Sequence, residues 1–189
     1  MRITTLVIAV ILGLAFDSGF GGLFTLRSLG SITPLAIPCI VVFVALFAPP
    51  TAALVAAWLI GILVDLSPGQ SDLIGGMHLL GPHTLGYPVA VLVILRIRTV
   101  VFRRRILTMA ILVACCVVAV GAVEALLLVV RGLMPWNPAA TSGGMPALAR
   151  LIATAIYSGL LAVPLGWGLF ATIGLWRFQV PSGRKTLWR

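Results

Sequence analysis

Five side chains that could carry a charge or a proton lie within or beside long apolar runs of this sequence: Asp17, Asp65, His78, His83 and Glu124. An ionisable group inside a membrane span costs about 2.5 to 3.5 kcal/mol on insertion scales, so each one needs a partner or a task. Asp65 and both histidines share the segment Gly61 to Tyr87 with Asp72, which concentrates two of the chain's four acids there. An aspartate that closes an apolar helix and is followed by Pro68 and Gly69 marks a helix stop and a turn. Asp65 then either caps the amides of the next helix or accepts a hydrogen bond from the imidazole of His78 or His83. Glu124 reads either as a proton or cation relay, or as a carboxylate near its helix end that is protonated or paired with Arg131 or Arg150. Arg131 stands two turns further along the same helix, beyond direct reach.

These groups do not assemble into an obvious catalytic set. Chemistry on a lipid would need polar groups converging at one depth, and Asp65 with His83 is the candidate pair. No nucleophile stands beside a base. Two histidines and a few dispersed acids are too few for metal hydrolysis, and neither H-E-x-x-H nor a phosphate-binding G-x-x-x-x-G-K-[ST] loop occurs. Cys39, Cys115 and Cys116 lack C-x-x-C spacing and read as small buried hydrophobes, the adjacent pair pointing to different helix faces. The expectation is a protein that is not an enzyme and that takes no metal and no cofactor.

The elements that must position these residues follow from composition. Of 189 residues, 61% are hydrophobic and 9% charged, too little polar surface for a soluble globule of this size. A span needs about 20 apolar residues, so there is room for five or six helices and no sizeable soluble domain. Continuous apolar runs disfavour a β-barrel, whose strands alternate. The predicted fold is an all-α polytopic membrane bundle in one domain, with spans at 3–24, 34–48, 51–65, 75–95, 106–130 and 147–175 and a basic tail at 176–189. The first resembles a signal peptide without a cleavage site and is read as a retained span. Pro34, Pro38, Pro49 and Pro50 bound two short helices, which cross with local thinning or form a re-entrant pair, two spans being preferred. The fourth helix is expected to begin near Gly75 and to bend at Pro82 and Pro88, with Gly75, Gly76, Gly81 and Gly86 thinning its surface for close packing. No internal repeat is evident.

The net charge of +9 sits at the ends of apolar runs, which points to topology and lipid contact, not to nucleic acid. Arg96, Arg98, Arg103, Arg104 and Arg105 form the densest cluster and mark a cytoplasmic loop, held on anionic lipid or offered to a cytoplasmic partner. With six spans and both termini cytoplasmic, ten cations lie inside and Arg27, Arg131 and Arg150 outside, an N-in, C-in arrangement that puts the turn after Asp65 on the outer face.

The central stretch GILVDLSPGQ followed by LLGPHTLGY resembles the signature region of the rod shape-determining MreD family, with the pattern G-L-x-x-D-L-x-x-G, then L-G-x-x-x-L and G-Y. The matching positions are Gly61, Asp65, Leu66 and Gly69, then Leu80, Gly81, His83, Leu85, Gly86 and Tyr87. The insert QSDLIGGMH between the halves is long for the pattern, and His78 competes with His83 for its place. The resemblance implies a non-enzymatic, multi-pass protein of the bacterial inner membrane, part of the cell-elongation machinery. Such a protein binds the periplasmic scaffold MreC and through it links MreB filaments to peptidoglycan synthases. The competing reading is the substrate-binding membrane subunit of a vitamin or metal uptake system, which should enclose a cavity near the outer face lined by Trp58, His83 or Asp65.

Overall fold

The computed structural model describes residues 2–25, 32–67, 81–98, 106–132 and 145–176. Among these residues the chain is all-α: α1 (Ile3–Ala15), α2 (Ile37–Phe47), α3 (Pro50–Leu66), α4 (Pro82–Ile97), α5 (Ile106–Gly132), α6 (Met145–Ala171) and a short α7 (Ile173–Trp176). α1 runs on through a π-helical turn, Phe16–Phe20, and a 3-10 turn, Gly21–Phe24. Gly69, His78, Leu80, Arg103, Arg104, Arg105 and the basic tail beyond Trp176 lie outside the described residues.

Proline punctuation sets the α2–α3 junction. Ala48 is forced out of the helical region by the following Pro49 and sits at φ −82°, ψ 160°, after which Pro50 opens α3 in the one turn where its missing N–H leaves no bond unmade. α2 is the hub, touching α1, α3, α4, α5 and α6. Every residue from Ile37 to Leu46 is buried, as expected of a helix apolar on all sides. Phe43 stacks edge-on against Phe170 and Trp176, closing the hub from the α6 and α7 side.

α2 starts later than the sequence suggests, at Ile37 instead of Pro34. α4 runs from Pro82, and Gly75, where the sequence places the start of the fourth helix, lies outside the described residues. At the start of α4, Gly81 has φ +122°, which no right-handed helix contains, and Pro82 occupies the first turn. Pro88 remains inside α4 and Pro164 inside α6.

Many large apolar side chains lie on the exterior. α5 and α6 contain stretches, Ile106–Val130 and Leu148–Ala171, long and apolar enough to cross a membrane, whereas α1 to α4 are shorter apolar helices. Only 39% and 33% of the most apolar windows of those two stretches are buried, the opposite of a soluble protein's core helix. Leu107, Leu126, Leu160 and Trp167 all face outward. Such a surface suits hydrocarbon better than water.

Candidate functional site

The residues singled out between Gly61 and Tyr87 meet at the joint between the end of α3 and the start of α4. Asp65, in the last turn of α3, turns both carboxylate oxygens to the first residues of α4. Oδ2 accepts from the Gly81 N–H (3.1 Å), the Thr84 N–H (2.9 Å) and the Thr84 hydroxyl (2.6 Å). Oδ1 accepts from the His83 N–H (3.2 Å) and from His83 Nδ1 (2.9 Å). A carboxylate offers about four lone-pair sites, so these donors leave it no spare capacity. The carboxylate satisfies the orphan amides of α4 and sits at the positive end of its dipole. Because an ionised carboxylate can only accept, His83 Nδ1 carries a proton at this contact.

Glycine brings the two backbones this close. A Cβ on Gly61 would lie 2.5 Å from the His83 carbonyl oxygen and 2.6 Å from Thr84 Cα, so any side chain there pushes the start of α4 away. Gly86 is packed as tightly on α5, where a Cβ would stand 2.9 Å from Val120 Cα. Gly81 acts differently from the expectation: among the described residues a Cβ would meet nothing within 4 Å, and its φ of +122° is a conformation that favours glycine. Tyr87, 1% exposed, follows one turn after His83 with the rings 5.5 Å apart. Asp65 and His83 do converge, but as a filled joint, with His83 8% exposed and Asp65 saturated. A carboxylate already accepting at every site is a poor base, and this arrangement caps and orients. Trp58, the other residue expected to line a pocket here, is half exposed on the outside of α3.

The same device recurs where the sequence reading did not look for it. Asp17, just past α1, accepts from the Ala36 N–H (2.7 Å) and the Ile37 N–H (3.2 Å) and so caps α2, while Ser158 of α6 accepts from the Leu35 N–H (3.1 Å). The signal was present: Pro34 follows Asp17 at the same interval, 17 residues, as Pro82 follows Asp65. At its other end α2 presents the Ala45 and Ala48 carbonyls to Arg98 Nη1 (3.4 and 3.0 Å), a cation at the negative end of the dipole. Arg98, grouped by sequence with the basic loop, thus serves the bundle, whereas Arg96 in the last turn of α4 is exposed.

The remaining candidates lie apart from this joint. Glu124 is 2% exposed in α5, near the contact where Gly121 packs on Leu151 of α6. Cys115 is exposed and Cys116 buried, on different faces as their adjacency requires, and Cys39 is buried in α2. Among the described residues no three His, Cys, Asp or Glu side chains are grouped as metal ligands. Among the described residues an open apolar groove of about 660 Å³ is bordered by α1, α2, α6 and α7, and none of Trp58, Asp65 and His83 lines it. Compared with known proteins, the chain matches no family model, no curated protein and no solved structure.

Proposed function

We propose that this chain is a non-enzymatic membrane component of a bacterial cell-elongation assembly, similar to the MreD family, and that it holds an MreC-like periplasmic partner. It would cross the inner membrane six times with both ends cytoplasmic. The observation that carries this reading is the saturated Asp65 joint. The residues behind the resemblance that are described, among them Gly61, Asp65, Gly81, His83, Gly86 and Tyr87, lie in or next to one closely packed joint, as a rigid docking element requires. An uptake subunit would instead be expected to keep polar groups open toward a ligand at that place.

The distribution of charge supports the orientation. Asp17 and Asp65 each stand about 20 Å along their helices from the end that holds Arg2 and the helix starts at Ile3 and Pro50, at 1.5 Å per residue. Arg98 sits with the C-terminal carbonyls of α2 at the opposite end of that helix from Asp17. Cations at one end and carboxylates toward the other suit a cytoplasmic face carrying the arginines.

The test is mild solubilisation of a tagged copy from its native bacterium, with mass spectrometry of the proteins that co-purify. Recovery of an MreC-like protein together with elongation synthases is the expected result. An ATPase pair with a coupling membrane subunit would replace this reading with the uptake one.

A further inference from the structure

α1 packs on the bundle along one side, with Val10 buried and Leu6, Ala9 and Leu14 against the core. Gly13 lies on Ile37 and Ile40 of α2, whose Cδ1 atoms would lie 2.8 and 2.7 Å from a Cβ there. At the start of α1 the Arg2 N–H donates to the Trp176 carbonyl (3.1 Å), and the Thr5 hydroxyl reaches the Leu175 carbonyl (3.4 Å). Beside this contact the groove of about 660 Å³ opens outward, with Ile8 and Leu12 on one wall and Leu165, Gly168 and Leu169 on the other.

Its chemistry changes along its length. The end near Thr5 and Thr172 holds hydroxyls and the rest toward Phe16 is apolar; Arg2, exposed and not itself a lining residue, is joined through its N–H to Trp176, which lines the groove. From Thr5 to Phe16, α1 rises about 17 Å at 1.5 Å per residue. One leaflet of a bilayer with a hydrocarbon core of ~30 Å is about 15 Å thick. A transmembrane helix is too large an occupant, since 18 residues in a cylinder about 10 Å across take up roughly 2,000 Å³.

We propose that this groove is a phospholipid site: one acyl chain of an anionic lipid lies between α1 and α6, with its headgroup phosphate against Arg2. The proposal rests on the membrane reading above. The lipid fills the groove beside α1 and adds to the contacts that Val10, Gly13 and the Asp17 cap already make. An apolar groove left open would lose the dispersion contacts that a chain supplies.

The experiment is native mass spectrometry of the protein released from vesicles of equal parts phosphatidylglycerol and phosphatidylcholine, after alkaline carbonate extraction of the vesicles. Wild type should keep one phospholipid per chain, with phosphatidylglycerol preferred about fivefold, the expectation for one cation near the surface. Gly168→Phe should fold normally, because among the described residues a Cβ there meets nothing within 4 Å, yet lose the lipid by filling the groove. Leu160→Phe, outside the groove, should keep it. Arg2→Gln should keep a lipid and lose the preference for phosphatidylglycerol. A membrane-retained wild type that carries no lipid, a Gly168→Phe protein that carries as much as wild type, or a second copy of the chain in place of lipid would overturn the proposal. Release of the protein by carbonate would overturn the membrane reading beneath it.

Discussion

Asp65 and Asp17 cap two helix starts from similar positions, but α4 and α2 meet their caps with different resources. α4 brings polar side chains of its own, His83 and Thr84, so that most of the cap's donors are encoded within a few residues of one helix. The start of α2, Ile37 preceded by Leu35 and Ala36, offers Asp17 only backbone amides, and the Leu35 N–H is bound by Ser158 from a helix more than 100 residues away. The α3–α4 joint is therefore a local unit, whereas the start of α2 exists only once α1 and α6 are in place. A joint that forms from one hairpin is suited to present a fixed surface to a partner, and a start assembled from three helices is suited to the centre of the bundle.

Substitutions can break this contrast, beginning with the largest effect. Asp65→Ala leaves five donors without their acceptor and should lower stability by about 3 kcal/mol, the upper end for hydrogen bonds to a charged group. Unfolding in mixed micelles of mild and denaturing detergent measures it, and a loss below about 1 kcal/mol, the scale of a single ordinary hydrogen bond, would mean that the joint is not held by the carboxylate. Gly61→Val should cost about 2 kcal/mol in the same assay, because overpacking against backbone cannot relax by moving a side chain. Gly81→Ala should cost about 1 to 2 kcal/mol through its positive φ alone, with no change in contacts, so helix content should stay at the wild-type value by circular dichroism. Ser158→Ala should cost about 1 kcal/mol. Its effect should couple to that of Asp17→Ala and add independently to that of Asp65→Ala in double-mutant cycles, since only the first pair ends on the same helix start. Additivity in both cycles would erase the distinction between a local and an assembled cap.

The same contrast explains what could be read from residue types. The cap by Asp65 was legible because Pro68, Gly69 and Pro82 punctuate it and because His83, one of its donors, is itself conspicuous in an apolar run. The cap by Asp17 left only the spacing to Pro34 as a sign, since amides of Ala36 and Ile37 leave no mark in the identity of those residues and Ser158 is distant in sequence. Gly81 was read as a thin spot for packing when its task is a backbone angle, and composition does not separate these two uses of glycine. Arg98 was grouped with its neighbours in the basic cluster because the carbonyls it serves belong to α2 and become visible only when the helices are placed. The apolar, all-helical character of the chain was readable directly, as it depends on run length and charge alone.

The most direct test of the account is capture of an MreC-like protein by tagged wild type and by Asp65→Ala, expressed to equal abundance in the native membrane. The account predicts that wild type retains the partner and that Asp65→Ala loses most of it. Equal recovery with both, with Asp65→Ala destabilised as predicted, would contradict the claim that the Asp65 joint presents the partner-binding surface.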